Sequence, residues 1–220
     1  MLTFSSLKTY ALAGMIVIGF AAQAKMATAD ELEILTVAGG CVWCVEADFE
    51  RVDGVTGAVS GYTGGTVENP TYKQVTRGGT GHYEAVQITY DSSIVSRATL
   101  LNLFFRSVDP TDAGGQFCDR GESYRTAIFA DTPQAQEEAA AAKAKAGKVL
   151  GATIVTPILP ATEFYPAEAY HQDYYRSDDL VLTRFGPKRK SSAYKAYRNA
   201  CGREQRVQEI WGDDAPFLPS

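Results

Sequence analysis

Histidine is almost absent from this 220-residue chain, with two residues, and tryptophan and methionine are nearly as scarce, with two and three. Two imidazoles leave little for a histidine-built metal centre. Of the four cysteines only Cys41 and Cys44 are close in sequence, whereas an all-cysteine zinc site would normally show a second close pair. No metal and no other cofactor is expected. Basic charge is thin as well: Lys and Arg total 21 against 26 Asp and Glu, the net charge is -5, the pI is near 5.1, and no basic stripe is present. Neither a nucleic-acid backbone nor an anionic membrane surface is an expected partner. The sequence also lacks internal repeats and low-complexity linkers, and it has a single long apolar run.

That run, Tyr10 to Ala22, follows Lys8 and ends in two small-x-small sites, Ala22-Gln23-Ala24 and Ala27-Thr28-Ala29. It falls short of the roughly 20 apolar residues a membrane-spanning helix needs, and it reads as a cleavable secretory signal. Residues 1–29 are therefore expected to be removed on export, with no stable membrane insertion and a periplasm-like destination. Residues 30–220 suit one domain with a sizeable core.

What is present in quantity is aromatic: 12 Tyr and 10 Phe. All four cysteines, Cys41, Cys44, Cys118 and Cys201, lie in the mature part. In an oxidising compartment two structural disulfides are the plain expectation, and three pairings are open. A C-x-x-C directly after Gly39-Gly40 points instead to redox or metal chemistry.

The short apolar run Glu33–Ala38 reads as a strand broken by Gly39-Gly40. From Cys41, apolar Val42, Val45, Phe49 and Val52 recur at helical spacing. Val55–Tyr62 predicts a second strand, followed by a polar loop to Gly81. His82–Tyr90 predicts a third, with Glu84, Val86, Ile88 and Tyr90 on one face. A helix over Arg97–Val108, a strand over Tyr124–Ala130, a helix capped by Asp131 or Thr132 and a strand over Ala152–Leu159 complete the order β-α-β-β-α-β-α-β. The expected fold class is α+β, a two-layer sandwich with a mixed β-sheet around a ferredoxin-like core. A short helix is expected around Ala167–Arg176; the Lys/Arg-rich tail beyond it gives no clear order.

A cysteine opening a helix meets unpaired N–H groups and the positive end of the macrodipole, both of which favour the thiolate. Cys41 is the expected nucleophile on that ground. Its context is recognisable: Gly39-Gly40-Cys41-Val42-Trp43 resembles the G-C-F-W signature of A-type peptide methionine sulfoxide reductases. So do Gly61-Tyr62-Thr63-Gly64-Gly65, Asn69-Pro70-Thr71-Tyr72, Gly81-His82-Tyr83-Glu84-Ala85-Val86, Asp119-Arg120-Gly121, Tyr124-Arg125 and Phe164–Gln172, in order along the chain.

The resemblance implies thiol-dependent reduction of methionine S-sulfoxide in oxidised proteins, by way of a sulfenic acid and then a disulfide, with a thioredoxin-like reductant as partner. It assigns Cys41 as nucleophile, Glu84 as acid, Tyr72 and Tyr124 as hydroxyl donors, Asp119 as their support and Trp43 as part of the methyl pocket. These roles fit the chemistry, since a sulfoxide oxygen leaves only when protonated and Glu84 on an apolar face would stay neutral. Three departures lie beside the site: Val42 stands for the common Phe in the pocket wall, Cys44 for a frequent Gly, and Cys118 for a common Asn. Cys44, one helical turn away, is favoured to resolve the sulfenic acid, with Cys201 on the tail as the other candidate. Cys118 could extend a relay, pair with Cys201 or be inert. His171 is read as structural. A plain disulfide exchanger would not need Glu84 and the two tyrosines, and a stapled binding domain would not need a cysteine at a helix start after Gly-Gly.

Overall fold

The computed structural model describes residues 32–183 and 186–218, and the expected export signal over residues 1–29 lies outside them. Strand β1 (Leu32–Gly39) sends Leu35 and Val37 into the core. Gly39 and Gly40 then turn the chain into helix α1 (Val42–Phe49), with Cys41 as its N-cap residue. Gly40 has φ +81°, and a Cβ there would come within 2.6 Å of Gln116 Cβ, so the turn needs glycine on both counts.

Next come β2 (Val55–Thr63), α2 (Tyr72–Arg77), β3 (Tyr83–Asp91), α3 (Arg97–Arg106), and the two-residue strands β4 (Gly115–Gln116) and β5 (Asp119–Arg120). Then follow β6 (Thr126–Ala130), α4 (Pro133–Leu150), β7 (Ile158–Pro160) and β8 (Tyr165–Pro166). The main sheet has the order β7-β6-β1-β3-β2-β8. Within it β6, β1, β3 and β2 pair antiparallel, β7 pairs parallel to β6, and the sheet is mixed as expected. With α1 and α3 as crossovers, the four central strands form the ferredoxin-like β-α-β-β-α-β unit.

Residues of α1, α3, α4 and the sheet share one core, which includes Val45, Phe49, Leu100, Phe104, Ala139, Val86 and Ile88. Burying the Leu100 and Phe104 side chains stabilises the fold by about 1.5–3 kcal/mol each. Helix α4 starts where the sequence indicates: Thr132 accepts from the Ala135 N–H, Pro133 sits in the first turn, and Gly151 closes the helix in the left-handed conformation. The opposite sheet face is covered by a smaller aromatic cluster around Tyr83 and Phe129, with Phe164 against it.

Several local expectations need correction. The loop from Gly64 to Gly81 contains α2, whose six residues are too few to set up a readable periodicity but are held by a Thr71–Gln74 capping box. Tyr124 belongs to a 3-10 turn, Glu122–Tyr124, before β6 begins. Of the expected Ala152–Leu159 strand only Ile158 and Leu159 belong to β7, and the expected helix around Ala167–Arg176 shrinks to a 3-10 turn, Ala169–His171. The unordered tail is in fact structured: a β9 (Leu180–Thr183) and β10 (Gly186–Arg189) pair, then α5 (Lys190–Ala200) and α6 (Arg203–Trp211). The buried side of α5 is made partly of charged residues, Lys190 and Arg198 beside Ala193 and Tyr194, so an apolar stripe is missing from its sequence.

Candidate active site

Cys41 lies at the end of β1 and the start of α1, 7% exposed, and its carbonyl accepts from the Cys44 and Val45 N–H groups. Its thiol makes no cap hydrogen bond to the helix. Instead the first helical N–H, that of Val42, donates to Glu84 Oε2 at 3.3 Å. Helix start and carboxyl are thereby tied together, across 42 residues of sequence.

Glu84 stands on β3, on the face it shares with Val86, Ile88 and Tyr90, and is 3% exposed. Its Oε1 has no hydrogen-bond partner among the described residues. Burial pushes its carboxyl up to about 8, against the Val42 N–H, which favours the charged form. At neutral pH Glu84 is a neutral acid with an unpartnered oxygen. Tyr72, at the start of α2, and Tyr124, in the 3-10 turn, bring their hydroxyls together beside it; burial raises both, and the Glu84 charge adds to the effect.

The helix-start argument for a Cys41 thiolate meets a stronger opposing effect. Burial, reinforced by Cys44, Glu84 and Asp119, raises the Cys41 thiol well above its ordinary value. At rest Cys41 is therefore a thiol, and Cys44, held by its hydrogen bond with Cys41 and by two arginines, is the thiol displaced downward. Asp119, on β5, is not bonded to Tyr72 or Tyr124; it accepts from the hydroxyl of Tyr197 on α5. Its charge still acts on Cys41, Glu84 and both tyrosines.

Trp43 lies on the outer side of α1. Its ring stacks on Tyr174 at 3.8 Å and 7°, meets Tyr197 edge-on at 6.1 Å, and its indole N–H donates to His171 Nδ1 at 3.1 Å. His171 is buried, which lowers its imidazole so that it stays neutral and can accept, and it also packs against Tyr72. It holds Trp43 and Tyr72 in place, as a structural residue would. Val42 behaves differently from the pocket wall its position suggested: its side chain lies in the main core with Val37 and Val45. A cavity of about 390 Å³ opens beside the site, between Trp43, Tyr174 and Tyr197 on one side and Cys118, Cys201 and Ala200 on the other.

Cys118 and Cys201 form a disulfide, with Cα atoms 4.9 Å apart, while Cys41 and Cys44 are free and buried. Of the roles left open for Cys118, pairing with Cys201 is the one present. The bridge fastens the end of α5 beside β5, and α5 in turn packs Ala193 and Tyr194 into a cluster with Cys41, Cys44 and Tyr174. The sequence reading missed Tyr174, Tyr194, Tyr197, Arg198 and Arg203, all supplied by the tail; only the nearness of Tyr197 and Arg203 to Cys201 could have drawn attention to it. Two groups among the described residues bring three potential metal ligands together. In Cys118, Asp119 and Cys201 the sulfurs are already joined; in Glu46, Glu50 and Asp173 the carboxylates are engaged by Ser60, Tyr175 and Arg176.

A buried thiol, a second thiol one turn along, a neutral carboxylic acid and two hydroxyls at the end of one sheet define a thiol-based oxidoreductase that protonates an oxygen while sulfur attacks. The chain belongs to the peptide methionine sulfoxide reductase family, whose profile matches residues 33–214. It is 46% identical over 201 residues to a peptide methionine sulfoxide reductase MsrA 2 of Caulobacter vibrioides, covering 91% of this chain and 95% of that protein. It is 45% identical over 186 residues to an MsrA of Bacillus licheniformis, covering 84% and 96%. Among solved structures, reduced Mxr1 from Saccharomyces cerevisiae superimposes with a TM-score of 0.64 at 30% identity, over 69% of this chain and 88% of that one. Methionine sulfoxide reductase A of Corynebacterium diphtheriae does so with a TM-score of 0.61 at 31% identity, over 70% and 78%.

Proposed function

We infer that this protein is a peptide-methionine (S)-S-oxide reductase, returning methionine S-sulfoxide in oxidised proteins to methionine and so repairing oxidative damage. The observation that carries this is the unpartnered, neutral Glu84 carboxyl beside the paired Tyr72 and Tyr124 hydroxyls at the Cys41 thiol. The sulfoxide oxygen is received by Glu84 and the two hydroxyls, and its S-methyl group is packed against Trp43, where sulfur gains from a nearby ring. Glu84 gives its proton to the oxygen, and the Cys41 proton replaces it on the carboxylate. Cys41 sulfur takes the oxygen, methionine leaves, and a sulfenic acid remains. Asp119 acts through its charge and through its bond to Tyr197.

Cys44 then resolves the sulfenic acid as a Cys41–Cys44 disulfide. The partly exposed Cys118–Cys201 pair is the outer couple through which a thioredoxin-like reductant delivers electrons, since Cys41 and Cys44 lie beneath α5. The apolar run from Tyr10 to Ala22 supports export to a periplasm-like compartment, and no helix of the described residues is long and apolar enough to cross a membrane. The reaction is tested by giving the reduced protein the separate S and R sulfoxide epimers of a methionine peptide, with Cys41→Ser alongside. Turnover of the S epimer, abolished in Cys41→Ser, is expected; turnover of neither epimer would overturn the reading.

A further inference from the structure

Three cations follow one another where β10 runs into α5, and two of them are matched. Arg189 pairs with Asp178 at 3.0 Å, and Lys190 pairs with Asp179 at 3.0 Å. Lys188 is half-buried, and among the described residues no carboxylate pairs with it. The register of the hairpin sets where its side chain goes. Lys188 stands opposite Val181, and residues directly opposite in an antiparallel pair share a face. Val181 packs against the cluster that holds Cys41, Cys44 and Tyr174. Leu180 and Leu182, opposite Arg189 and Pro187, take the other face and are 77% and 81% exposed. Lys188 therefore lies on the side of the hairpin that meets the site.

There it lines the cavity of about 390 Å³ beside Trp43, and among the described lining residues it is the only charged one. The other walls are aromatic rings, Trp43, Tyr174 and Tyr197, and small side chains of α5 such as Ala196 and Ala200. Asp119, next to Cys118, already accepts from the Tyr197 hydroxyl. An apolar hollow with one unmatched ammonium is complementary to a short aliphatic side chain that ends in a carboxylate. Its position gives that complementarity a use. Trp43 is a wall of the cavity and stands two residues after Cys41, while Tyr174 and Ala193 line the cavity and also pack in the Cys41 cluster. The cavity thus adjoins the place where a methionine sulfoxide meets sulfur, without including Cys41, Glu84, Tyr72 or Tyr124.

We propose that this cavity receives a residue flanking the methionine sulfoxide of a polypeptide substrate, and that Lys188 selects for aspartate or glutamate there. The inference rests on the reading of protein-bound methionine S-sulfoxide as the substrate. A flanking carboxylate gains an ion pair with Lys188 in partly desolvated surroundings, whereas a flanking lysine or arginine meets like charge. Lys188 touches no reacting atom, so it binds the ground state and the transition state alike. The preference then resides in KM, with kcat little changed.

The test uses the full chain with dithiothreitol as reductant, which keeps a protein reductant out of the assay. Substrates are S-epimer peptides of one sequence that carry Glu, Gln or Lys immediately before or immediately after the sulfoxide. A blocked methionine S-sulfoxide without neighbours is the control. The wild type should favour Glu over Lys about five- to tenfold in kcat/KM on at least one side, through KM, and rising salt should shrink the difference. Lys188→Arg should keep the order, Lys188→Ala should bring the peptides within about twofold, and Lys188→Glu should reverse it, all with the control turned over as by the wild type. Equal kcat/KM for the Glu and Lys peptides in the wild type, or an unaltered order in Lys188→Glu, overturns the proposal. So does a Lys188→Glu defect seen only when a thioredoxin-like protein replaces dithiothreitol, since the cation would then serve the reductant. Failure to turn over even the small S-sulfoxide overturns the reductase reading itself; turnover of it without any peptide preference overturns the inference on Lys188 alone.

Discussion

Two glutamates of this protein are buried for different ends. Glu84 is neutral at pH 7 because burial raises its carboxyl to about 8, and its Oε1 has no hydrogen-bond partner among the described residues. Glu84→Gln should lower turnover about 10²–10⁴-fold at pH 7, as loss of a general acid does. The wild-type rate should fall as pH rises through about 8, where Glu84 loses its proton, and single-turnover methionine release across pH 6–9 reads both effects. An undiminished rate in Glu84→Gln would dismiss the acid. Glu46 is fully buried on α1, accepts from Ser60 Oγ at 2.5 Å and from the Asp173 N–H at 2.6 Å, and is raised to about 7 by burial. A carboxyl raised on folding stabilises the fold most below its unfolded value near 4.5, and that contribution is lost as pH rises through about 7. Glu46→Gln should therefore leave stability near pH 5 little changed and raise it by about 1–3 kcal/mol near pH 8, given 1.36 kcal/mol per pKa unit. Urea midpoints at the two pH values check this, and an unchanged pH slope would count against it.

At the scale of the element, the turn from β1 to α1 decides whether Cys41 and Glu84 meet. Gly40 combines positive φ with close contact to Gln116, so Gly40→Ala should cost about 1–3 kcal/mol of stability and lower turnover with it. Thermal melts and steady-state assays are the checks; wild-type values for both would exclude the turn as a constraint. The same region illustrates how much was legible beforehand. Gly39-Gly40, the alternation of β3 and the Thr132-Pro133 start of α4 are local signals, and they located the strands, the helix start at Cys41 and the face carrying Glu84. The tail was illegible because α5 buries Lys190 and Arg198 through ion pairs with Asp179 and with Asp48, the latter 150 residues away, so no local pattern marks them as inward-facing. Composition gives charged residues no reason to face inward. Val42 was misplaced for a related reason: its motif position suggested a pocket wall, whereas helix geometry turns it toward Val37 and the core.

At the scale of the molecule, the chain is closed upon itself. The Cys118–Cys201 disulfide spans 83 residues, joining the turn between β4 and β5 to the tail. Chain-entropy arguments put such a closure at about 4.5 kcal/mol. Cys118→Ser/Cys201→Ser should be less stable than the oxidised wild type by about 2–4 kcal/mol, and reducing the wild type should erase most of the difference. Denaturation with and without reductant decides it, and equal stability of variant and oxidised wild type would show that the bridge does not hold α5 down.

The roof that α5, Trp43 and Tyr174 build over Cys41 bears on a hazard every cysteine of this kind meets. A sulfenic acid exposed to hydrogen peroxide goes on to sulfinic acid, which thiols do not reverse. Here the sulfenic acid forms under aromatic cover, with Cys44 one helical turn away. With Cys44 as the proposed resolving thiol, capture by that neighbour outpaces further oxidation, and the enzyme is shielded from being consumed by oxidants.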